Sequence, residues 1–216
     1  MYRDLVLECA ERVFAREGFH TAKMQDIAAE AGISLNTLYA VFPGKREIFQ
    51  AVHESRGRAF FARVEAALAP APPAREAIAR GVRAFVEFLL DHADYFRMDL
   101  REGRSWAVGD VEASPAFQAG IRLWTELMRR GIAEGVFYDE DPGLMATTAF
   151  GLMQMQLAYL LAHAGEPDRE RIADRITLQL ERAFCQPEPS AAARRDDWKA
   201  SQTQAPRQSL EPKGPG

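Results

Sequence analysis

Apolar residues recur every three or four positions along most of the chain, the spacing that places them on one side of an α-helix. In the first stretch, Leu5, Cys9 and Val13 share such a side and charged residues surround them. Repeated throughout, this pattern predicts an all-α fold. The expected helices span residues 2–17, 24–31, 35–42, 45–68, 75–91, 92–100, 115–135, 144–163 and 168–184.

The shortest of these helices form a distinctive pair. Ile27, Ala28 and Ala31 lie on one side of the first, and Gly32 follows, where a glycine can take positive φ and end the helix. Ser34 is expected to cap the second helix by accepting a hydrogen bond from the backbone of residue 36 or 37. This arrangement is typical of a helix-turn-helix, whose second helix enters the DNA major groove. An ordinary helix hairpin is the structural alternative.

The wider motif supports the DNA-binding interpretation. The chain carries Phe14-Ala15-x-x-Gly18-Phe19, then Asp26-Ile27-Ala28-x-x-Ala31-Gly32-Ile33-Ser34, then Thr37-Leu38-Tyr39-x-x-Phe42-x-x-Lys45. Over about the first sixty residues it resembles the DNA-binding domain of the tetracycline-repressor (TetR) family. The resemblance implies an N-terminal three-helix helix-turn-helix domain followed by a helical ligand-binding and dimerisation domain. The expected divisions are residues 1–45 for DNA binding, 46–68 for a connecting helix, 74–185 for effector binding and dimerisation, and 186–216 for a disordered tail.

The candidate DNA contacts lie in and around the second short helix. Asn36 can pair with the N6 and N7 atoms of adenine, and Leu35 can touch a thymine methyl group. The resemblance assigns Thr37, Tyr39 and Lys45 to phosphates. Family members often have hydroxyl residues where this chain has Ala22 and Lys23, so a lysine charge replaces a hydroxyl contact there. The predicted DNA-binding set is Lys23, Ser34, Leu35, Asn36, Thr37, Tyr39 and Lys45.

Charge and composition narrow the function further. The net charge is -4, but residues 1–67 carry nine basic and nine acidic residues. A neutral DNA-binding domain makes few phosphate contacts per subunit, which favours a dimer. No signal peptide and no uninterrupted apolar span of about 18 residues is evident, so we expect a cytoplasmic protein without a membrane segment. No catalytic constellation, metal-ligand spacing or cofactor motif stands out, so no enzyme is expected.

The second half of the chain is rich in aromatic and methionine residues, whose adaptable side chains suit a pocket for an apolar ligand. A plain hydrophobic core is the alternative. Residues 144–163 and 168–184 are expected to pair with a second copy as a four-helix interface. We expect a repressor released from a palindromic operator by a small apolar molecule; an effector-independent regulator or an activator remains open. The candidate ligand contacts are Phe88, His92, Phe96, Phe117, Trp124, Met128, Phe150, Met153 and Gln154.

Overall fold

The computed structural model describes residues 2–102, 115–163 and 168–187, with the backbone alone for residues 115–117. The predicted loop at 103–113 and all but the first two residues of the predicted tail lie outside these ranges. Within them the chain folds into nine helices, which confirms the predicted all-α fold. The helices are α1 (Tyr2–Glu17), α2 (Met24–Glu30), α3 (Leu35–Val41), α4 (Lys45–Ala67), α5 (Ala74–Asp91), α6 (Ala93–Arg101), α7 (Pro115–Ala133), α8 (Pro142–His163) and α9 (Arg169–Phe184).

Residues 2–185 contain two hydrophobic cores. The first core lies among α1, α2, α3 and the beginning of α4, with Phe14, Ile27, Leu38 and Ile48 buried at its centre. The second core lies among α5, α7, α8 and α9. Each core collects the apolar side of amphipathic helices, so burial follows the sequence pattern.

Two helices supply side chains to both cores. In α4, Val52 belongs to the first core, while Phe60 packs against the second. In α6, Phe96 is buried in the second core and Met98, only two residues later, is buried in the first. Side chains two positions apart point to nearly opposite sides of a helix. Helix α6 is therefore wedged between the two cores.

Helix α9 corrects one expectation. The predicted packing stripe of this helix was expected at an interface with a second copy, but Ile172, Ile176 and Leu180 are buried in the chain's own second core. Helix α9 packs mainly against α5. The apolar stripe of α9 was identified correctly, but α5 rather than a partner subunit covers it.

Helix α8 is apolar on most sides, as the sequence predicts. Within the described residues it is the one helix long and apolar enough to cross a membrane by length and composition, and one third of that segment is buried. Leu144, Met155 and Tyr159 stay more than half exposed. These three positions fall within about 60° of one another around the helix, so they form one apolar face.

Candidate nucleic-acid interface

The turn between α2 and α3 has the conformation and the cap that its sequence predicts. Gly32 has φ +63°, a left-handed conformation that favours glycine, and it ends α2. The N–H of Ile33 then donates to the carbonyl of Ala28 at 3.0 Å. Ser34 is the N-cap of α3, and its hydroxyl oxygen accepts from the Thr37 N–H at 3.1 Å. Both the predicted stop and the predicted cap are confirmed.

Helix α3 presents a small exposed face. Leu38 is fully buried and anchors the helix in the first core, while Tyr39 is 49% exposed. Asn36 and Ala40 are exposed on the same side. Ala40 was missing from the candidate residues, although its spacing of four residues from Asn36 places it on that face. Asn36, Tyr39 and Ala40 are thus available to a DNA groove.

Three other candidates, at or near the start of α3, already make contacts within the protein. Leu35 is half-buried and packs against the first core, so only part of its side chain can meet a base. Ser34 and Thr37 hold each other: their hydroxyl oxygens are 2.8 Å apart. The hydroxyl groups at the start of α3 therefore stabilise its first turn before any DNA arrives.

Lys45 lies at the start of α4, and its ammonium group contacts the segment between α1 and α2. Its Nζ donates to three backbone carbonyls, those of Phe19 at 2.5 Å, His20 at 3.1 Å and Ala22 at 2.7 Å. It also lies 4.8 Å from the centre of the Phe19 ring. A lysine ammonium has three N–H donors, and here all three are directed into the protein.

Lys23 is exposed and precedes α2 as its N-cap. Its backbone N–H donates to the Asp26 carboxylate at 2.9 Å. The cap residue of α2 carries no side-chain acceptor for the first turn, and the carboxylate of Asp26 within that turn supplies one. The Lys23 ammonium therefore stays at the surface, where a phosphate can reach it.

Ion pairs fix the helices around α3. Arg12 of α1 donates to Glu30 at the end of α2 at 2.9 Å, and this hydrogen bond holds the pKa of Glu30 below its ordinary value. Glu11 is 6% exposed and lies 2.6 Å from Arg56 of α4. Burial raises the pKa of Glu11, and the hydrogen bond from Arg56 opposes part of that rise. These pairs tie α1 to α2 and to α4.

The end of α6 holds the turn between α1 and α2. The carboxylate of Glu102 accepts from the Phe19 N–H at 2.7 Å. Arg101 donates to the carbonyl of Arg16 at 2.8 Å. Because Met98 of the same helix lies in the first core, the DNA-binding region contacts α6 through both apolar and polar groups.

Most of the predicted ligand contacts come together in the second core. Phe150 is partly buried there and the other apolar members are almost fully buried. Gln154 is 3% exposed, and its Nε2 lies 3.3 Å from an Asp99 carboxylate oxygen of α6. The side chain of Phe117 lies outside the described residues. The buried apolar members are Phe88, Phe96, Trp124, Met128 and Met153.

His92 lies at the boundary of the second core. It stands at the junction of α5 and α6, at the edge of a polar cleft of about 320 Å³ that also reaches Glu8, Arg12 and Arg97. Burial lowers the pKa of His92. The ring of His92 also packs on that of Phe88, with ring centres 4.5 Å apart, so His92 lies between this cleft and the edge of the second core.

Comparison with known proteins agrees with this geometry. Residues 6–52 match the family model for bacterial regulatory proteins of the tetR family. The chain is 23% identical over 182 residues to the regulator YhgD of Bacillus subtilis, which covers 82% of this chain and 94% of that protein. It is 27% identical over 147 residues to the transcriptional activator FasR of Mycolicibacterium smegmatis, covering 68% of this chain and 63% of that protein. The chain spans 37% of the length of YuxN of Bacillus subtilis, with 28% identity over 108 residues, half of this chain.

Solved structures show the same helical architecture. FadR, a fatty acid degradation regulator from Bacillus halodurans, superposes with a TM-score of 0.74 at 18% identity, covering 83% of this chain and 94% of FadR. A TetR-like transcriptional regulator from Rhodococcus sp. RHA1 superposes with a TM-score of 0.69 at 26% identity, covering 84% of this chain and 94% of that one. These proteins are regulators rather than enzymes, as the sequence predicts for this chain. Residues 6–52 therefore form a DNA-binding domain of the tetR family, and the chain is similar over most of its length to HTH-type and TetR-like transcriptional regulators.

Proposed function

We propose that the chain is a homodimeric repressor that a small, mainly apolar molecule releases from a palindromic operator. The proposed effect of this molecule on DNA binding is supported mainly by the position of α6 between the two cores. Phe96 of this helix is 1% exposed among the candidate ligand contacts, and Met98 is fully buried beside the DNA-binding helices. A ligand that moves Phe96 therefore also moves Met98.

The chemistry of the second core supports an apolar effector. Its buried aromatic and methionine side chains adapt to apolar molecules of varied shape. The amide of Gln154 and the carboxylate of Asp99 supply polar groups at one end, where they can orient the ligand. FadR of Bacillus halodurans regulates fatty acid degradation, which is consistent with an apolar ligand of this kind.

The exposed face of α8 supports a homodimer. Tyr159 is 61% exposed and Leu144 is 62% exposed, on the same side of the helix. Leu178 of α9 is 46% exposed, and the neighbouring Gln179 accepts a hydrogen bond from Gln156 of α8. A second copy that covers α8 and α9 removes this apolar surface from water. Two recognition helices can then meet two successive major grooves, about 34 Å apart.

The dimer is tested by light scattering on size-exclusion fractions. Met155→Asp combined with Leu178→Asp places two charges on the exposed face and should give a monomer of normal helix content. Gln50→Asp, at an exposed position of α4, should remain a dimer. A double variant that stays dimeric at micromolar concentration would exclude this face as the interface.

The operator is tested by selecting bound duplexes from a random DNA library. We expect a palindrome with half-sites about one helical turn apart. Apolar compounds are then screened for release of the selected duplex, because a ligand acts only if it prefers the state that does not bind DNA. If no compound changes DNA affinity, the effector-independent alternative is favoured. We place the protein in the cytoplasm, where a regulator has access to DNA.

The direction of regulation has its own test. The similar protein FasR is an activator, so the similarity is compatible with either repression or activation of transcription. Deleting the gene should raise transcription from a promoter that carries the selected operator if the protein is a repressor. A fall in transcription would identify an activator.

A further inference from the structure

We propose that Glu11 is a positioning residue for operator binding, because its carboxylate connects α1 to both α4 and α6 at the boundary of the two cores. This inference rests on the proposed binding of a palindromic operator by a dimer. It adds the contact that fixes the DNA-binding helices relative to the rest of the chain. Glu11 is 6% exposed, and in the part of the chain that the structure describes it is one of two buried polar residues.

The carboxylate of Glu11 accepts a hydrogen bond from each of two other helices. The Nε atom of Arg56, in α4, donates to it at 2.6 Å. The backbone N–H of Tyr95, in the first turn of α6, donates to the same carboxylate. The first N–H groups of a helix have no partner within that helix, and a negative charge at this end suits the helix dipole. One side chain of α1 therefore fixes a point on α4 and the beginning of α6.

The position of this contact links it to the recognition helix. On α4, Arg56 lies between Val52, which belongs to the first core, and Phe60, which packs against the second. On α1, Val13 lies two residues after Glu11 and is buried in the first core with side chains of α2 and α3. Because α1, α2 and α3 share that core, they move together. A change of angle at Glu11 therefore moves α3 relative to the second core.

A buried ion pair of this kind contributes more to orientation than to net stability. The cost of removing two charges from water opposes their attraction, so apolar residues of similar size can replace such a pair with little loss of stability. Charge-assisted hydrogen bonds, in contrast, hold short distances and defined angles. At the other end of α6, Arg101 and Glu102 contact the DNA-binding region through exposed or half-buried groups. Glu11 therefore supplies the buried charged contact at the beginning of this helix.

The spacing between the operator half-sites tests this role. One inserted base pair moves a half-site by about 3.4 Å and turns it by about 34°, so a dimer with rigidly held recognition helices should lose about 100-fold or more in affinity. Glu11→Met combined with Arg56→Met removes the directed contact and leaves neither charge buried alone. This double variant should keep a melting temperature close to that of the parent. It should lose only about tenfold on the inserted duplex, because its recognition helices can adjust.

Glu8→Met is the matched control. Glu8 lies on α1 one turn before Glu11 and lines the same polar cleft, but it is exposed. Glu8→Met should keep the operator affinity and the spacing preference of the parent. A general loss of stability weakens binding to both duplexes alike, so the ratio of the two affinities isolates the positioning effect. If the double variant fails to fold, Glu11→Gln, which has the same shape without the charge, should show the same change in ratio to a smaller degree.

Distances between spin labels test the same role without DNA. Cysteines introduced at Ala29 of α2 and Glu76 of α5, both exposed, carry the labels, while the native Cys9 and Cys185 are buried. Dilution with unlabelled protein restricts the measurement to one chain, whether or not it dimerises. The distance distribution in the double variant should be about twofold broader than in the parent, because a directed contact is gone. This comparison remains decisive if no duplex is bound and the proposed function itself fails.

Either of two results would overturn the proposal. One is a folded double variant whose affinity ratio between the original and the inserted duplex equals that of the parent. The other is a distance distribution in that variant as narrow as those of the parent and of Glu8→Met.

Discussion

Replacement of Gly32 by alanine tests the local reasoning that defines the helix-turn-helix. Gly32 has φ +63°, and a Cβ atom built on it meets no neighbour within 4 Å. The cost of Gly32→Ala is therefore conformational rather than steric. A left-handed conformation costs an ordinary residue about 1–2 kcal/mol, and the stiffer unfolded chain returns about 0.4–1 kcal/mol. We expect a net loss of about 1 kcal/mol in the free energy of unfolding.

For a chain of this size, that loss corresponds to a fall of about 2–4 °C in melting temperature. Differential scanning calorimetry at one fixed protomer concentration measures it, because a dimer's stability depends on concentration. Gly32→Asn should recover part of the loss, since asparagine tolerates this conformation better than alanine does.

Gly135 offers a matched control. It has φ +67°, its Cβ would also meet nothing within 4 Å, and it follows α7 rather than α2. Gly135→Ala should lose the same stability and keep full operator affinity. Gly32→Ala should in addition weaken operator binding, because it changes the turn that orients α3. Equal stability of Gly32→Ala and the parent would refute the conformational argument, and equal operator binding would refute its link to function.

Three further predictions concern single contacts. Asn36→Ala should cost about 1–3 kcal/mol of binding at one base pair and relax specificity there, as measured by competition with point-substituted operators; equal losses on all sequences would remove Asn36 from the base readers. Gly131→Ala should destabilise the fold although alanine favours helices, because its Cβ would lie 2.1 Å from ring atoms of the fully buried Phe137; a higher melting temperature would contradict this. The hydrogen bond from Arg12 lowers the pKa of Glu30, so this pair stabilises the fold at neutral pH and the contribution is lost as the pH falls through the folded-state pKa; Glu30→Gln should therefore unfold more readily than the parent at pH 7, with the difference shrinking below about pH 4 in urea titrations.

Local features were predictable because they depend on near neighbours in the sequence. The stop at Gly32 and the cap at Ser34 involve hydrogen bonds between residues at most five positions apart. The division between α5 and α6 at His92 was also predicted correctly. The exposed face of α3 follows from helical spacing alone, and that rule, applied to every position, also finds Ala40.

The candidate ligand set was less predictable. Aromatic and methionine residues at helical spacing are correctly expected to be buried, and Phe96, Trp124 and Met153 are. Spacing cannot show which core receives them, since it describes one helix at a time. His92 was grouped with the apolar interior, and the fold places it at the boundary: its ring packs on Phe88, while a cleft lined by charged residues of α1 and α4 adjoins it.

By itself, the sequence determined that the chain is helical, where most helices begin and end, and that residues 24–42 form a helix-turn-helix. Only the tertiary structure decided which neighbour each surface meets. It placed α5 against the apolar stripe of α9, directed Lys45 to carbonyls up to 26 residues away, and brought Glu102 to Phe19 across 83 residues. The physical reason is that periodicity and capping report interactions within a few residues, whereas these contacts depend on how whole helices pack.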